Sequence, residues 1–220
     1  SIVSRRASAR CGSPAPALLR LADAWYDRAA GWLVLRGLPL VRRTDLQLLG
    51  DHNVANALAA ALSLPLSADP EAIAAGLRDF RALAHRLEPV REVNGVLWID
   101  DSKSTTVAST LSAVRSVGRP VVLLLGGTDK GGNFAQLAEA LRGCRGVIAY
   151  GDAGERVERE LKGSLPLVRE RHDFAAVIAR ARALARPGDA VLLSPACASF
   201  DMFASAEDRG RQFRALVEAS

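Results

Sequence analysis

The chain has 220 residues, a formal net charge of +5 and a hydrophobic share of 49%. That length admits one large domain or two small ones, and that apolar share suffices for a sizeable core. The balance is moderately basic, but no run of Lys and Arg is interleaved with aromatics and no nucleic-acid motif occurs, which excludes nucleic-acid binding from the expectations.

Cys11, Cys144 and Cys197 are widely spaced, with no CxxC pair and no metal-ligand spacing. A reduced, cytoplasmic setting fits them. The residues from Ser1 to Arg10 are basic, yet no apolar h-region follows, and no stretch approaches the length of a membrane span. The chain begins at Ser1 rather than Met and reads as a piece of something longer.

Residues 1–50 hold Pro, Gly and short apolar runs such as Trp32-Leu33-Val34-Leu35. They predict short strands and loops, with a helix around Ala17 to Ala24. Asp51 is a good N-cap for an Ala- and Leu-rich helix from His52 to Leu62, which Pro65 ends. Asp69-Pro70-Glu71 starts a second helix, with an N-cap Asp and Pro at the first helical position; Ala72 to Phe80 is its body. The polar stretch 81–94 contains Pro89 and predicts a domain boundary.

From Gly95 the pattern changes to strand–helix alternation. Strands are expected near 95–100, 120–125, 146–150 and 190–194, with a weaker one near 165–169. Helices are expected near 105–116, 134–142, 153–162, 173–185 and 206–217. This order argues for an α/β fold: a mostly parallel, Rossmann-like sheet with flanking helices and right-handed crossovers.

Polar clusters follow apolar runs at Asp101-Ser102-Lys103-Ser104-Thr105-Thr106, at Gly126 to Gly132, and at Ser194-Pro195-Ala196-Cys197-Ala198-Ser199. Open α/β sheets bind ligands just beyond the carboxyl ends of their strands. Lys103, Lys130, the hydroxyls and the glycines suit an anionic ligand, with free N–H groups at helix starts adding to the attraction. The plain alternatives are N-capping by Ser and Thr, a flexible glycine turn and exposed lysines. Asp101 accepts from a ribose hydroxyl or caps its turn. Cys197, between Ala196 and Ala198, suits an inert buried thiol better than a nucleophile, and no GxSxG elbow is present. Neither GxxxxGK[ST] nor GxGxxG occurs, so a stand-alone P-loop or dinucleotide-binding reading has no support. Asn53 and Asn56 share a helix face and are placed to read a purine edge or to be plain surface amides. Arg86 suits a base or phosphate, or simple exposure.

Taken in order, Gly50-Asp51-His52-Asn53-Val54-Ala55-Asn56, His85-Arg86, Asp100-Asp101-Ser102-Lys103-Ser104-Thr105, Gly126-Gly127 with Asp129-Lys130, Leu192 to Asp201, Arg209-Gly210 and Phe213 resemble the carboxyl-terminal part of a Mur ligase. The match runs from about residue 45 to the end, and the Ser194-Pro195-Ala196-Cys197-Ala198-Ser199-Phe200-Asp201 run points to the D-glutamate-adding branch. The resemblance implies that residues 1–82 are the tail of a central ATPase domain, incomplete and without its P-loop, and that 83–220 form a Rossmann-like ligase domain. It implies ATP-dependent addition of D-glutamate to UDP-N-acetylmuramoyl-L-alanine through an acyl phosphate, in a monomer needing Mg²⁺ whose ligands lie outside this chain. By the same carry-over, Asn53, Asn56, Arg86 and Asp101 contact ATP; Lys103, Thr105, Lys130, Ser199 and Phe200 hold D-glutamate; and the chain alone is inactive. Thr106 stands where the family often has Asn, and Ala206 near a position where some members place a Phe; Phe200 or Phe203 is the aromatic available to compensate. A non-catalytic module that binds nucleotide or amino acid is the competing expectation.

Overall fold

The computed structural model describes residues 20–21, 23–163 and 165–219. They divide into two compact units: the described residues up to Leu46 together with Val54–Arg78, and Gln47–Asn53 together with Asp79 onward.

The first unit is a meander of β1 (Arg20–Leu21), β2 (Ala24–Asp27), β3 (Trp32–Leu35) and β4 (Leu38–Arg42), paired antiparallel in that order, followed by helices. The expected helix around Ala17 to Ala24 is therefore wrong where it is described; Arg20–Leu21 and Ala24 are strand and Asp23 is a turn, and the rest of that expectation lies outside the described residues. Aromatic Trp25 and Tyr26 favour the pleated backbone over the helix that the alanines suggest. Arg36 and Gly37 both take positive φ (51° and 84°), as a two-residue hairpin turn between β3 and β4 requires. Helix α1 (Asp51–Ser63) starts at Asp51 itself, one residue earlier than the capping expectation, and α2 (Pro70–Asp79) starts as expected, with Asp69 Oδ1 accepting from Glu71 N at 3.1 Å. Leu33, Leu35, Val41, Val54, Leu58, Ala61 and Ile73 make this unit's core.

The second unit is a six-stranded sheet in the order β5-β6-β10-β7-β8-β9. The strands are β5 (Glu88–Val93), β6 (Val96–Asp100), β7 (Val121–Gly126), β8 (Gly146–Tyr150), β9 (Leu167–Arg169) and β10 (Ala190–Leu193). All neighbours run parallel except β5, which pairs antiparallel with β6. Helices α3 (Val107–Ser116) and α4 (Gly154–Leu161) cover one face with Val107, Val114, Val157 and Leu161 against Leu123, Leu125 and Leu192. Helices α5 (Phe174–Leu184) and α6 (Ala206–Glu218) cover the other with Val177, Ile178, Phe213 and Val217 against Val122, Leu124 and Val191. Burial on both faces is why β7 and β10 read as unbroken apolar runs.

The sequence pattern missed one strand and overextended one helix. The stretch 81–94 contains the edge strand β5, which the polar composition did not suggest. Its alternation is masked by charged residues and Pro89, both tolerated at an edge, and an Asn94-Gly95 turn with φ of 52° and 75° closes the hairpin to β6. The helix expected over 134–142 is a short 3₁₀ turn, Phe134–Leu137, followed by further turns. Phe134, Leu137 and Leu141 all reach the core from these tighter turns, and helix propensity yields to that packing.

Candidate functional site

The last strand in sequence, β10, lies between β6 and β7. The three polar clusters therefore leave three adjacent parallel strands at their carboxyl ends. Backbone bonds fasten them together. Asp101 N donates to Leu193 O at 2.9 Å and Ala196 N to Ser104 O at 3.0 Å, joining the loop after β6 to the loop after β10. Gly126 N donates to Pro195 O at 3.1 Å, and Thr128 and Ala198 exchange bonds of 2.9 and 3.1 Å, joining the loop after β7 to the same partner. Close approach is obligatory here: a Cβ on Gly126 would lie 2.0 Å from Tyr150 O, and one on Gly127 2.2 Å from Ala198 O.

A fully buried arginine completes the lock. From α6, Arg209 Nε donates to Ser102 Oγ at 2.9 Å and Nη2 to Ser102 O at 2.9 Å. Its Nη1 reaches Ala198 O at 3.2 Å, and both Nη atoms reach Cys197 O at 3.3 Å. Ser102 Oγ in turn donates to Ala206 O at 2.6 Å. One guanidinium thus spans the residue before Lys103 and the residues before Ser199. Arg209-Gly210 belongs to the family pattern, but nothing in the sequence alone assigns either residue a role. Gly210 is fixed by contact, since a Cβ there would lie 2.2 Å from His85 Nδ1 and 2.6 Å from Asp100 Oδ2.

Arg86 belongs to the same assembly. His85 and Leu87 on either side take positive φ, 64° and 45°. Three bonds hold this kinked segment: His85 Nδ1 to Asp100 Oδ2 at 2.7 Å, Lys103 N to His85 O at 3.1 Å and Leu87 N to Asp101 Oδ1 at 3.1 Å. The Arg86 side chain is left exposed at the mouth of the loop after β6.

The other expected residues fall as follows. Asp101 is buried, with Oδ1 accepting from Leu87 N and Oδ2 from Ser194 Oγ at 2.7 Å, so both oxygens anchor loops. Burial pushes its carboxyl up to about 6, against the lowering pull of its hydrogen bonds from Ser104, Ser194 and Leu87. Lys103 is exposed and pairs with Glu207 at the start of α6; the ammonium holds the Glu207 carboxyl down at about 2. Thr105 is half-buried, Lys130 exposed and Ser199 buried. Phe200 is 73% exposed beside Ser199, whereas Phe203 is buried edge-on against Phe174 at 4.9 Å. Phe200 is therefore the aromatic left available. Thr106 caps α3, its Oγ1 accepting from Ser109 N at 3.2 Å, a task that Asn performs equally well. Cys197 is fully buried, and burial pushes its thiol up to about 12, which excludes a thiolate nucleophile. Asn53 is half-buried with Nδ2 donating to Leu49 O at 2.8 Å, while Asn56, one turn along α1, is exposed and belongs to the first unit. Among the described residues no helix is long and apolar enough to cross a membrane.

The comparisons with known proteins agree with this geometry. The family model described as "Mur ligase, glutamate ligase domain" matches residues 85–197, from the Arg86 segment through Cys197. The UDP-N-acetylmuramoylalanine–D-glutamate ligase of Rubrobacter xylanophilus is 46% identical over 193 residues, which cover 85% of this chain and 43% of the relative. Among solved structures, the UDP-N-acetylmuramate-alanine ligase MurC of Thermotoga maritima shares the fold with a TM-score of 0.59 at 19% identity, covering 79% of this chain and 39% of the other. The folylpolyglutamate synthase of Mycobacterium tuberculosis complexed with ADP gives a TM-score of 0.61 at 16% identity, covering 87% and 48%. The chain thus spans less than half the length of these relatives. A family model laid over more than half of its residues, and over the interlocked loops just described, shows that this chain belongs to the Mur ligase family.

Proposed function

We propose that this chain is the amino-acid-holding portion of a cytoplasmic, monomeric UDP-N-acetylmuramoyl-L-alanine:D-glutamate ligase, acting in peptidoglycan precursor synthesis. In this reading ATP phosphorylates the alanyl carboxylate, the D-glutamate amine attacks the acyl phosphate, and phosphate leaves. Catalysis by such a site is positioning and charge stabilisation. Lys103, Thr105, Lys130 and Ser199 hold the two carboxylates of D-glutamate, and Phe200 supplies the apolar wall that Ala206 does not. Arg86 offers its guanidinium to the nucleotide; by the family pattern alone, Asn53 and Asn56 are adenine contacts. Asp101 belongs to that nucleotide set by position, while its carboxylate secures the loop that carries Lys103. The observation that supports the reading is the juxtaposition of the loops after β6, β10 and β7, which carry Lys103, Thr105, Lys130 and Ser199 at one strand edge.

Neither cluster of three ligand-type side chains found among the described residues has the all-oxygen set that magnesium favours. The two places that gather three ligand-type side chains, His85/Glu88/Asp100 and Asp152/His172/Asp201, each include an imidazole. Glu88 is bound by Arg214 at 2.5 Å and Asp100 by Ser102 N at 3.0 Å, whereas Mg²⁺ selects free oxygens. No step here passes through the metal.

The test is phosphate release by the full-length ligase containing this chain. Release must require both D-glutamate and the muramoyl substrate; turnover with L-lysine or meso-diaminopimelate in place of D-glutamate overturns the assignment. Lys103→Ala and Lys130→Ala each remove a charge-assisted contact of roughly 1.5–3 kcal/mol, which raises the D-glutamate KM about tenfold or more.

A further inference from the structure

The loop after β7 contains Gly126, Gly127, Gly131 and Gly132, so its backbone has little stiffness of its own. Its first half is tied to the loop after β10 by the Gly126 and Thr128 bonds. Its second half, which carries Lys130, has one internal bond, Gly131 N to Asp129 Oδ1 at 2.8 Å. Arg156 of α4 supplies the remaining anchorage. Its Nη1 donates to Asp129 Oδ2 at 2.5 Å and its Nη2 donates to Gly132 O, so one guanidinium grips the chain on both sides of Lys130. The guanidinium is itself held: Nε donates to Glu160 Oε1 at 2.6 Å, and Cζ lies 5.2 Å from the centre of the Phe134 ring. Glu160 Oε2 closes the circuit by accepting from Phe134 N at 2.8 Å. The Lys130 ammonium remains exposed, and among the described residues no carboxylate pairs with it.

We propose that Arg156 is the positioning residue for Lys130: by clamping Asp129 and Gly132 it fixes the glycine loop and aims the Lys130 ammonium at the substrate carboxylate. The inference rests on the carboxylate-holding reading of Lys130 above. Arg156 touches the loop and not the substrate. A planar fork with separately directed nitrogens is needed to reach a carboxylate, a backbone carbonyl and a helix glutamate together; an ammonium on a flexible stem satisfies fewer of them.

The test is a kinetic cycle in the full-length ligase with Arg156→Gln, Lys130→Ala and the double variant. Arg156→Gln is expected to raise the D-glutamate KM about tenfold, with the KM values for ATP and the muramoyl substrate unchanged. Arg156→Lys keeps the charge and is expected to recover part of that loss, which also guards against a variant that simply folds poorly. In the Lys130→Ala background, Arg156→Gln should add less than about twofold, because its effect runs through Lys130. An unchanged D-glutamate KM in Arg156→Gln, or a full tenfold effect on top of Lys130→Ala, overturns the proposal while leaving the reading of Lys130 intact. A normal D-glutamate KM in Lys130→Ala itself overturns that reading, and the positioning role with it.

Discussion

The parallel strands of the second unit hold an arginine at each end, and the two are satisfied differently. At the amino ends, Arg145 before β8 makes a two-pronged pair with Asp189 before β10, Nε to Oδ2 at 2.7 Å and Nη2 to Oδ1 at 3.0 Å. The hydrogen bonds from Arg145 draw the buried Asp189 carboxyl below its ordinary range. At the carboxyl ends, Arg209 is more deeply buried, and among the described residues it has no carboxylate partner; it is held by carbonyls and one hydroxyl. The amino edge spends its charge internally and serves stability. The carboxyl edge uses backbone carbonyls to fix its loops and leaves Lys130 and Arg86 exposed.

The sharpest way to break this contrast is to remove each arginine. Arg209→Met strands the carbonyls of Ser102 and Cys197 and leaves Ala198 O with its bond from Thr128 N alone, at an expected cost of about 3 kcal/mol by urea unfolding, and raises the D-glutamate KM of the full-length ligase. Arg145→Met removes the ion pair of Asp189 and leaves its bond from Arg186 N at 2.9 Å, with a smaller loss of stability by the same measurement and D-glutamate kinetics unchanged. If Arg145→Met disturbs D-glutamate use as much as Arg209→Met does, the division of labour between the two edges is wrong.

Asp101 gives a pH test of the same edge. Its carboxyl sits at about 6 in the fold and at 3.8 ordinarily, so the folded state binds the proton more tightly. Stability from this group is therefore fully present below about pH 4, declines as pH rises through 6, and is then lower by roughly 3 kcal/mol. Asp101→Asn removes the titration while keeping an acceptor for Leu87 N. Urea midpoints at pH 4 and pH 7 should differ less in the variant than in the parent; equal differences would show that Asp101 does not titrate in this window.

The smallest expected effect concerns the cap of α3. Thr106→Ala costs about 1 kcal/mol, whereas Thr106→Asn stays within about 0.5 kcal/mol, read by thermal or urea unfolding. A large loss with Asn would show that Thr106 does more than cap.

Much of this edge is legible in the sequence because three strands buried on both faces leave unbroken apolar runs, and the polar clusters begin where the runs stop. Lys103, Lys130 and Ser199 could be named from that position and from the family pattern. Strand β5 could not, because an edge strand with Pro89 and charged residues resembles a linker. Arg209 and Arg156 were also invisible as loop anchors. Each sits on a charged helix surface by pattern, and only the tertiary fold turns one inward and lays the other across a glycine loop. Asp101 was legible as a polar residue at a strand end, yet its burial, which directs both oxygens inward, depends on Leu87 and Ser194, distant in sequence.

The insertion of β10 between β6 and β7 also governs how this sheet can assemble. Strands β6 and β7 have no contact edge until residues 190–193 arrive between them, nearly a hundred positions after β6. During synthesis the two halves wait with open, strongly apolar edges, the condition under which chains pair wrongly with one another. Closure comes with the same short segment that delivers the Ser194–Ser199 loop, so the ligand edge and the finished sheet appear in a single, late, long-range event, the kind that makes folding slow.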